Sequence, residues 1–187
     1  MLRRKLASTA LCALAALALT TGTSVAATAE PARAEAKTIN YQTAQPGNLA
    51  AQIDESVAIW NKVLKNVQFA KGSGGISVSV YDGTGPAPGT ASCVGCTSGV
   101  IKIYPRKAEE YKAGIVRVIV HEFGHILSLN HPSDIGNCDK VMAGGACDNP
   151  QPSADEIAAV DRFWNRPVLP APGAPADDSA IFGTPAR

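Results

Sequence analysis

Apolar residues along the 187-residue chain fall into short windows with two different periods. Alternation with period two marks strands: Lys37 to Thr43, then Gly75 to Asp82 (GISVSVYD), then Gly99 to Tyr104 (GVIKIY), which Pro105 closes. Helical spacing appears in Leu49, Ile53, Val57, Trp60, Val63 and Leu64, predicting a helix from an Asn48 cap to about Asn66 with Trp60 in the core. A further helix is expected from near Lys107, where Glu109 and Glu110 suit a first turn. It carries Ile115, Val118, Ile119, Ile126, Leu127 and Leu129, so it should be buried. Ser153-Ala-Asp-Glu156 is a capping box, and the helix it opens sets Ile157, Val160, Phe163 and Trp164 on one face. Gly83 to Ser98 is rich in Gly, Pro, Ser and Thr and reads as an irregular loop. From Arg166 onward the chain is Pro- and Ala-rich without periodicity, which predicts a flexible tail over 166–187.

The buried helix holds the chemistry. VIVHEFGHILSLNH, from Val118 to His131, contains every histidine of the chain: His121, His125 and His131. His121 and His125 are one helical turn apart and project from one face. Two imidazoles at that spacing are a ready pair of zinc ligands, and Glu122 lies beside them to take a proton from water that the metal activates. Catalytic zinc usually has three protein ligands and one open position. His131 supplies the third if the helix stops and the chain turns back beneath the metal. Burying three histidines and a carboxylate without such a partner would be costly.

HEFGHILSLNH resembles the HExxHxxGxxH zinc motif of the metzincin metallopeptidases, in which the third ligand follows a glycine turn. VMAGG follows, and its Met142 is similar to the methionine turn that forms a floor beneath the zinc in that clan. The order Cys138, VMAGG, Cys147 resembles the snapalysins, small secreted neutral proteases. The likeness extends over AIWNKVLKNVQF (Ala58 to Phe69) and on to Trp164. It implies a compact α+β zincin domain over 37–165, with a small mixed sheet, an active-site helix and a C-terminal helix. It also implies a zinc endopeptidase with Zn²⁺ on His121, His125 and His131, Glu122 as proton acceptor, Met142 as floor, and proteins or peptides as substrates. In metzincins the strand corresponding to Gly99–Tyr104 is the sheet edge, on which extended substrate adds as a further strand.

The chain departs from the pattern in three places. Ser128 stands where the motif has glycine, although the backbone must leave the helix there with positive φ. His131 stands where snapalysins generally carry aspartate. Pro132 and Ser133 follow it, where the family usually has a tyrosine.

MLRRK, the apolar run Leu6 to Leu19 and the small-x-small site Ser24-Val25-Ala26 have the three parts of a secretory signal over 1–26. The apolar run is short for a membrane span of about 20 residues. Ala27 to Ala36 is expected to be a short pro-segment or disordered linker. Cys12 leaves with the signal, so four cysteines remain, an even number that in an exported chain is read as disulfides. The pairing expected is Cys138 with Cys147, tethering the loop under the zinc, and Cys93 with Cys96; a redox or metal role for the CxxC is the competing reading. Without Arg3, Arg4 and Lys5, 14 basic residues (17 less those three) face 16 acidic ones, a net of −2. No basic stripe points to nucleic acid or a membrane surface, and a monomer is expected. Calcium stays open: Gly114 and Val116 offer no side-chain oxygen ahead of the zinc motif, while Asp82 and other loop carboxylates exist. Two other functions compete: a zincin whose third ligand is Asp155 or Glu156, and a catalytically silent zinc-binding or inhibitory domain, whose metal would more often be closed by a fourth ligand.

Overall fold

The computed structural model describes residues 35–44, 49–83 and 85–183. The signal sequence, most of the 27–36 linker and the Asn48 cap lie outside them. Five strands form one sheet in the order β2-β1-β3-β5-β4, with β1 at Lys37–Thr43, β2 at Val67–Lys71, β3 at Ile76–Val80, β4 at Gly89–Ala91 and β5 at Gly99–Ile103. β2, β1, β3 and β5 run parallel, and β4 is antiparallel to β5. The sheet is therefore mixed, and with its helices gives the α+β domain expected.

Alternate strand residues face in: Ile39 and Tyr41, Val67 and Phe69, Ile76 and Val78, Ile101 and Ile103 are all buried. Their neighbours Thr38, Asn40, Gln68, Val100 and Lys102 are exposed. Helices thus cover one face only, which is why period-two alternation marks β1, β3 and β5 so clearly. Helix α1, Ala50–Val63, and helix α3, Ile115–Ile126, pack on that face. Trp60 is wholly buried between them, its indole N–H donating to the Val120 carbonyl at 2.9 Å. Phe123 of α3 meets the Phe69 ring edge-on at 4.8 Å between centroids. Each such buried apolar side chain contributes about 1.5–3 kcal/mol.

Several expectations are corrected. Helix α1 ends at Val63 rather than Asn66, because residues 67–71 are needed as β2 beside β1. The single helix expected from Lys107 is two: α2, Pro105–Glu110, stops before Lys112, whose φ of 53° is left-handed, and α3 starts afresh after Gly114. The loop over 83–98 contains β4, and this strand, not Gly99–Tyr104, is the sheet edge. β4 is too short for alternation to reveal it.

Helix α4, Ala154–Trp164, begins with the capping box as expected. The tail is not featureless. Gly173 bridges Val94, Asp178–Ala180 form a 3-10 turn, and Ile181 and Phe182 are buried. An apolar pair in an otherwise polar, proline-broken stretch has no period, yet it suffices to anchor that stretch to the core.

Candidate metal centre and active site

All ten residues from Arg117 to Ile126 of α3 are buried. His121 and His125 project from its lower turns as a T-shaped pair with ring centroids 4.8 Å apart. The helix ends in a Schellman pattern: Ser128 N–H donates to His125 O and Leu129 N–H to Gly124 O, each at 2.9 Å. Ser128 has φ 97°, so the residue standing for the motif's glycine does adopt the left-handed turn. That turn carries His131 back, its ring centroid 5.3 Å from that of His121 and 4.9 Å from that of His125.

The outer nitrogens of two rings are fixed. His121 Nδ1 lies 2.9 Å from Val141 O, and His125 Nδ1 lies 2.8 Å from Leu129 O. A carbonyl only accepts, so each ring carries a proton on Nδ1. A neutral ring then presents a bare lone pair at Nε2. Burial keeps His121 neutral, pushing its pKa down to about 4. With both rings in that form the two Nε2 atoms face each other as lone pairs 3.1 Å apart. Such an arrangement is repulsive until a cation occupies its focus, and imidazole nitrogens around a small cation are what zinc prefers. The donor set fits zinc.

Glu122 is fully buried, and neither carboxylate oxygen has a hydrogen-bond partner among the described residues. Burial first, and the charge of Asp178 second, push its pKa well above the usual carboxylate range. The carboxylate lies against β4: a Cβ on Gly89 would stand 2.4 Å from Glu122 Oε1. Glycine there lets the edge strand approach the carboxylate closely.

Met142 lies in a 3-10 turn, Val141–Ala143, whose Val141 carbonyl meets His121 Nδ1. Its sulfur packs under Gly124, where an added Cβ would come within 2.4 Å of it. Two groups missed by sequence pattern hold this turn. The Glu156 carboxylate accepts the N–H groups of Val141 at 3.2 Å and Met142 at 2.8 Å, besides closing the α4 capping box. The buried Arg117 guanidinium donates to the carbonyls of Lys140 at 2.7 Å, Gly144 at 3.0 Å and Asn149 at 2.7 Å. Cys138–Cys147 and Cys93–Cys96 are disulfides, in the pairing expected. Glu156 is thus committed to the methionine turn and stays outside the histidine cluster, as does Asp155; the carboxylate that joins the cluster is Asp178. Among the described residues, His121, His125, His131 and Asp178 offer ligand atoms all within 4.8 Å of one another.

The profile of the Streptomyces extracellular neutral proteinase (M7) family matches residues 36–166, most of the chain. The chain belongs to that family. An extracellular small neutral protease of Streptomyces lividans is 35% identical over 141 residues, covering 73% of this M7 chain and 60% of the relative. That of Streptomyces caespitosus is 30% identical over 131 residues, covering 68% of this chain and 96% of the relative. The M7 chain therefore spans less than two thirds of the S. lividans protein and nearly all of the S. caespitosus one. Among solved structures, the hatching-enzyme zinc protease HCE-1 of Oryzias latipes aligns with a TM-score of 0.36 at 20% identity, over 55% of this chain and 48% of that chain, a likeness too weak to bear on the fold.

Proposed function

We propose that the protein is a secreted zinc metalloendopeptidase that hydrolyses peptide bonds in protein substrates. The observation that carries this reading is the convergence of three imidazoles, two with their protons turned outward, beside a buried carboxylate that has no partner of its own. Membership of a family of extracellular proteinases and relatives named extracellular small neutral proteases support it. The four cysteines paired as disulfides suit an oxidising compartment. Among the described residues no helix is long and apolar enough to cross a membrane.

His121, His125 and His131 hold the zinc in this reading. Zinc bound there would polarise the scissile carbonyl and lower the pKa of water towards about 7. Val141 O and Leu129 O orient two of the rings and keep their protons away from the metal. Glu122 accepts the proton of the attacking water and returns it to the leaving amine. Met142 shapes the floor and makes no bond to substrate. The edge strand β4, beside the Glu122 carboxylate, is the place where an extended peptide can add as a further strand.

The test compares Glu122→Gln with Glu122, both in an Asp178→Ala background because Asp178 also reaches the cluster, on casein with zinc measured by elemental analysis. The substitution keeps one zinc per chain and lowers turnover about 10²–10⁴-fold, the contribution typical of a general base. Undiminished turnover at full zinc occupancy would remove Glu122 from its role.

A further inference from the structure

Asp178 lies beyond residue 166, where the match to the family profile ends, yet its carboxylate sits at the focus of the histidine cluster. Oδ1 is 3.2 Å from His121 Nε2, 3.1 Å from His125 Nε2 and 2.9 Å from His131 Nε2. His121 and His125 have no proton to offer there when neutral, because each donates from Nδ1 to a carbonyl. An anionic oxygen pressed against such lone pairs is expelled unless a cation lies among them, and then every one of these contacts becomes coordination. Asp178 is only 2% exposed, and its other oxygen, Oδ2, is buried without a hydrogen-bond partner. The carboxylate is therefore placed for binding through one oxygen.

The surrounding chain is built to hold it there. Asp177 caps the 3-10 turn by accepting the Ser179 N–H at 3.0 Å. Ile181 O accepts the Gly145 N–H at 3.1 Å, tying the segment to the methionine turn. The Phe182 ring, 1% exposed, stands 4.9 Å from the His121 ring. Upstream, Gly173 and Val94 exchange two backbone hydrogen bonds, at 2.7 and 3.3 Å. Pro175 and Ala176 line a cleft together with Thr90 and Ala91 of the edge strand.

We propose that Asp178 is a fourth protein ligand of the zinc, and that residues 173–182 are an intramolecular plug that keeps the full chain latent. The proposal rests on the zinc site of the proposed function. Three imidazoles and one carboxylate complete a tetrahedral zinc, leaving no position for water or a substrate carbonyl. The plug also runs beside the strand edge on which substrate would lie. Release follows when water hydrolyses one peptide bond in the exposed stretch 170–175, leaving a new carboxylate and a new amine. The plug is then a separate peptide, without the high effective concentration that covalent linkage gives it.

The test uses the full chain at one metal per protein, confirmed by elemental analysis, with acetohydroxamate as a zinc-chelating probe. In the cobalt(II)-substituted wild type, the visible spectrum stays unchanged at probe concentrations that shift the spectra of Asp178→Asn and Asp178→Ala. In the zinc forms, calorimetry gives both variants a Kd at least about 100-fold below that of the wild type, the ratio expected when a closed state outweighs the open one by that factor. A wild-type cobalt spectrum that responds to the probe as readily as that of either variant overturns the plug, and the two variants, one of them isosteric, guard against a failure of one to fold. That result leaves the zinc reading standing. A wild type that binds no metal removes both, and elemental analysis reports it separately.

Discussion

Ser128 holds a conformation that serine disfavours, at φ 97°, because the chain must leave α3 there to bring His131 under the other two rings. The left-handed state costs a residue with a Cβ about 1–2 kcal/mol, offset in part by the lower entropy of serine in the unfolded chain. Ser128→Gly is therefore expected to stabilise the protein by about 0.5–1 kcal/mol net. Chemical denaturation should show a higher midpoint with an unchanged slope, and zinc affinity should not move; a loss of stability would mean that the hydroxyl makes a compensating bond. The three histidines were legible because their spacing is local and any helix would bring two of them together. Asp178 was not, since it stands 57, 53 and 47 residues from its three partners and nothing periodic connects them.

Among the elements, those with one wet and one dry face could be read directly: β1, β3, β5 and α4 announce themselves by alternation or by a capping box. β2 was hidden because Val67 and Phe69 continue the apolar run of α1, and β4 because three residues carry no period. The 3-10 turn that carries Met142 was recognisable as a motif, but what holds it was not. Glu156 serves two elements, capping α4 and accepting the backbone of Val141 and Met142. Ser153→Ala removes only half of the cap and should cost about 1 kcal/mol. Glu156→Ala removes the other half, the bond from Ser153 N–H, and also leaves the two buried N–H groups of Val141 and Met142 unpaired, so it should cost about 2–4 kcal/mol more. It should also weaken zinc binding, because Val141 O orients His121. Thermal denaturation and competition with a chelator separate the two effects. Equal losses in the two variants would show that the carboxylate acts on α4 alone.

Over the whole molecule, the proposed four-ligand site would make zinc the link between a body whose family match ends at residue 166 and the segment that carries Asp178. In the metal-loaded protein, Asp178 is attracted to the focus it shares with the three imidazoles. Without the ion the same oxygen faces the lone pairs of His121 and His125, a contact that nothing then offsets. Metal removal should therefore open the plug before it disturbs the sheet, whose buried core Ile39, Val78, Ile101 and Phe123 is independent of the ion. The amides that report this are Gly173, bonded to Val94 O, and Gly145, bonded to Ile181 O. On chelation their hydrogen exchange should accelerate by about tenfold or more, the scale of a 1.4 kcal/mol linkage, while Ile101 and Ile103 of β5 remain protected. Zinc added back should restore protection at one ion per chain. Unchanged exchange at both glycines after complete metal removal would show that Ile181 and Phe182 alone hold the segment, and that the contact between Asp178 and the histidines contributes nothing to its closure.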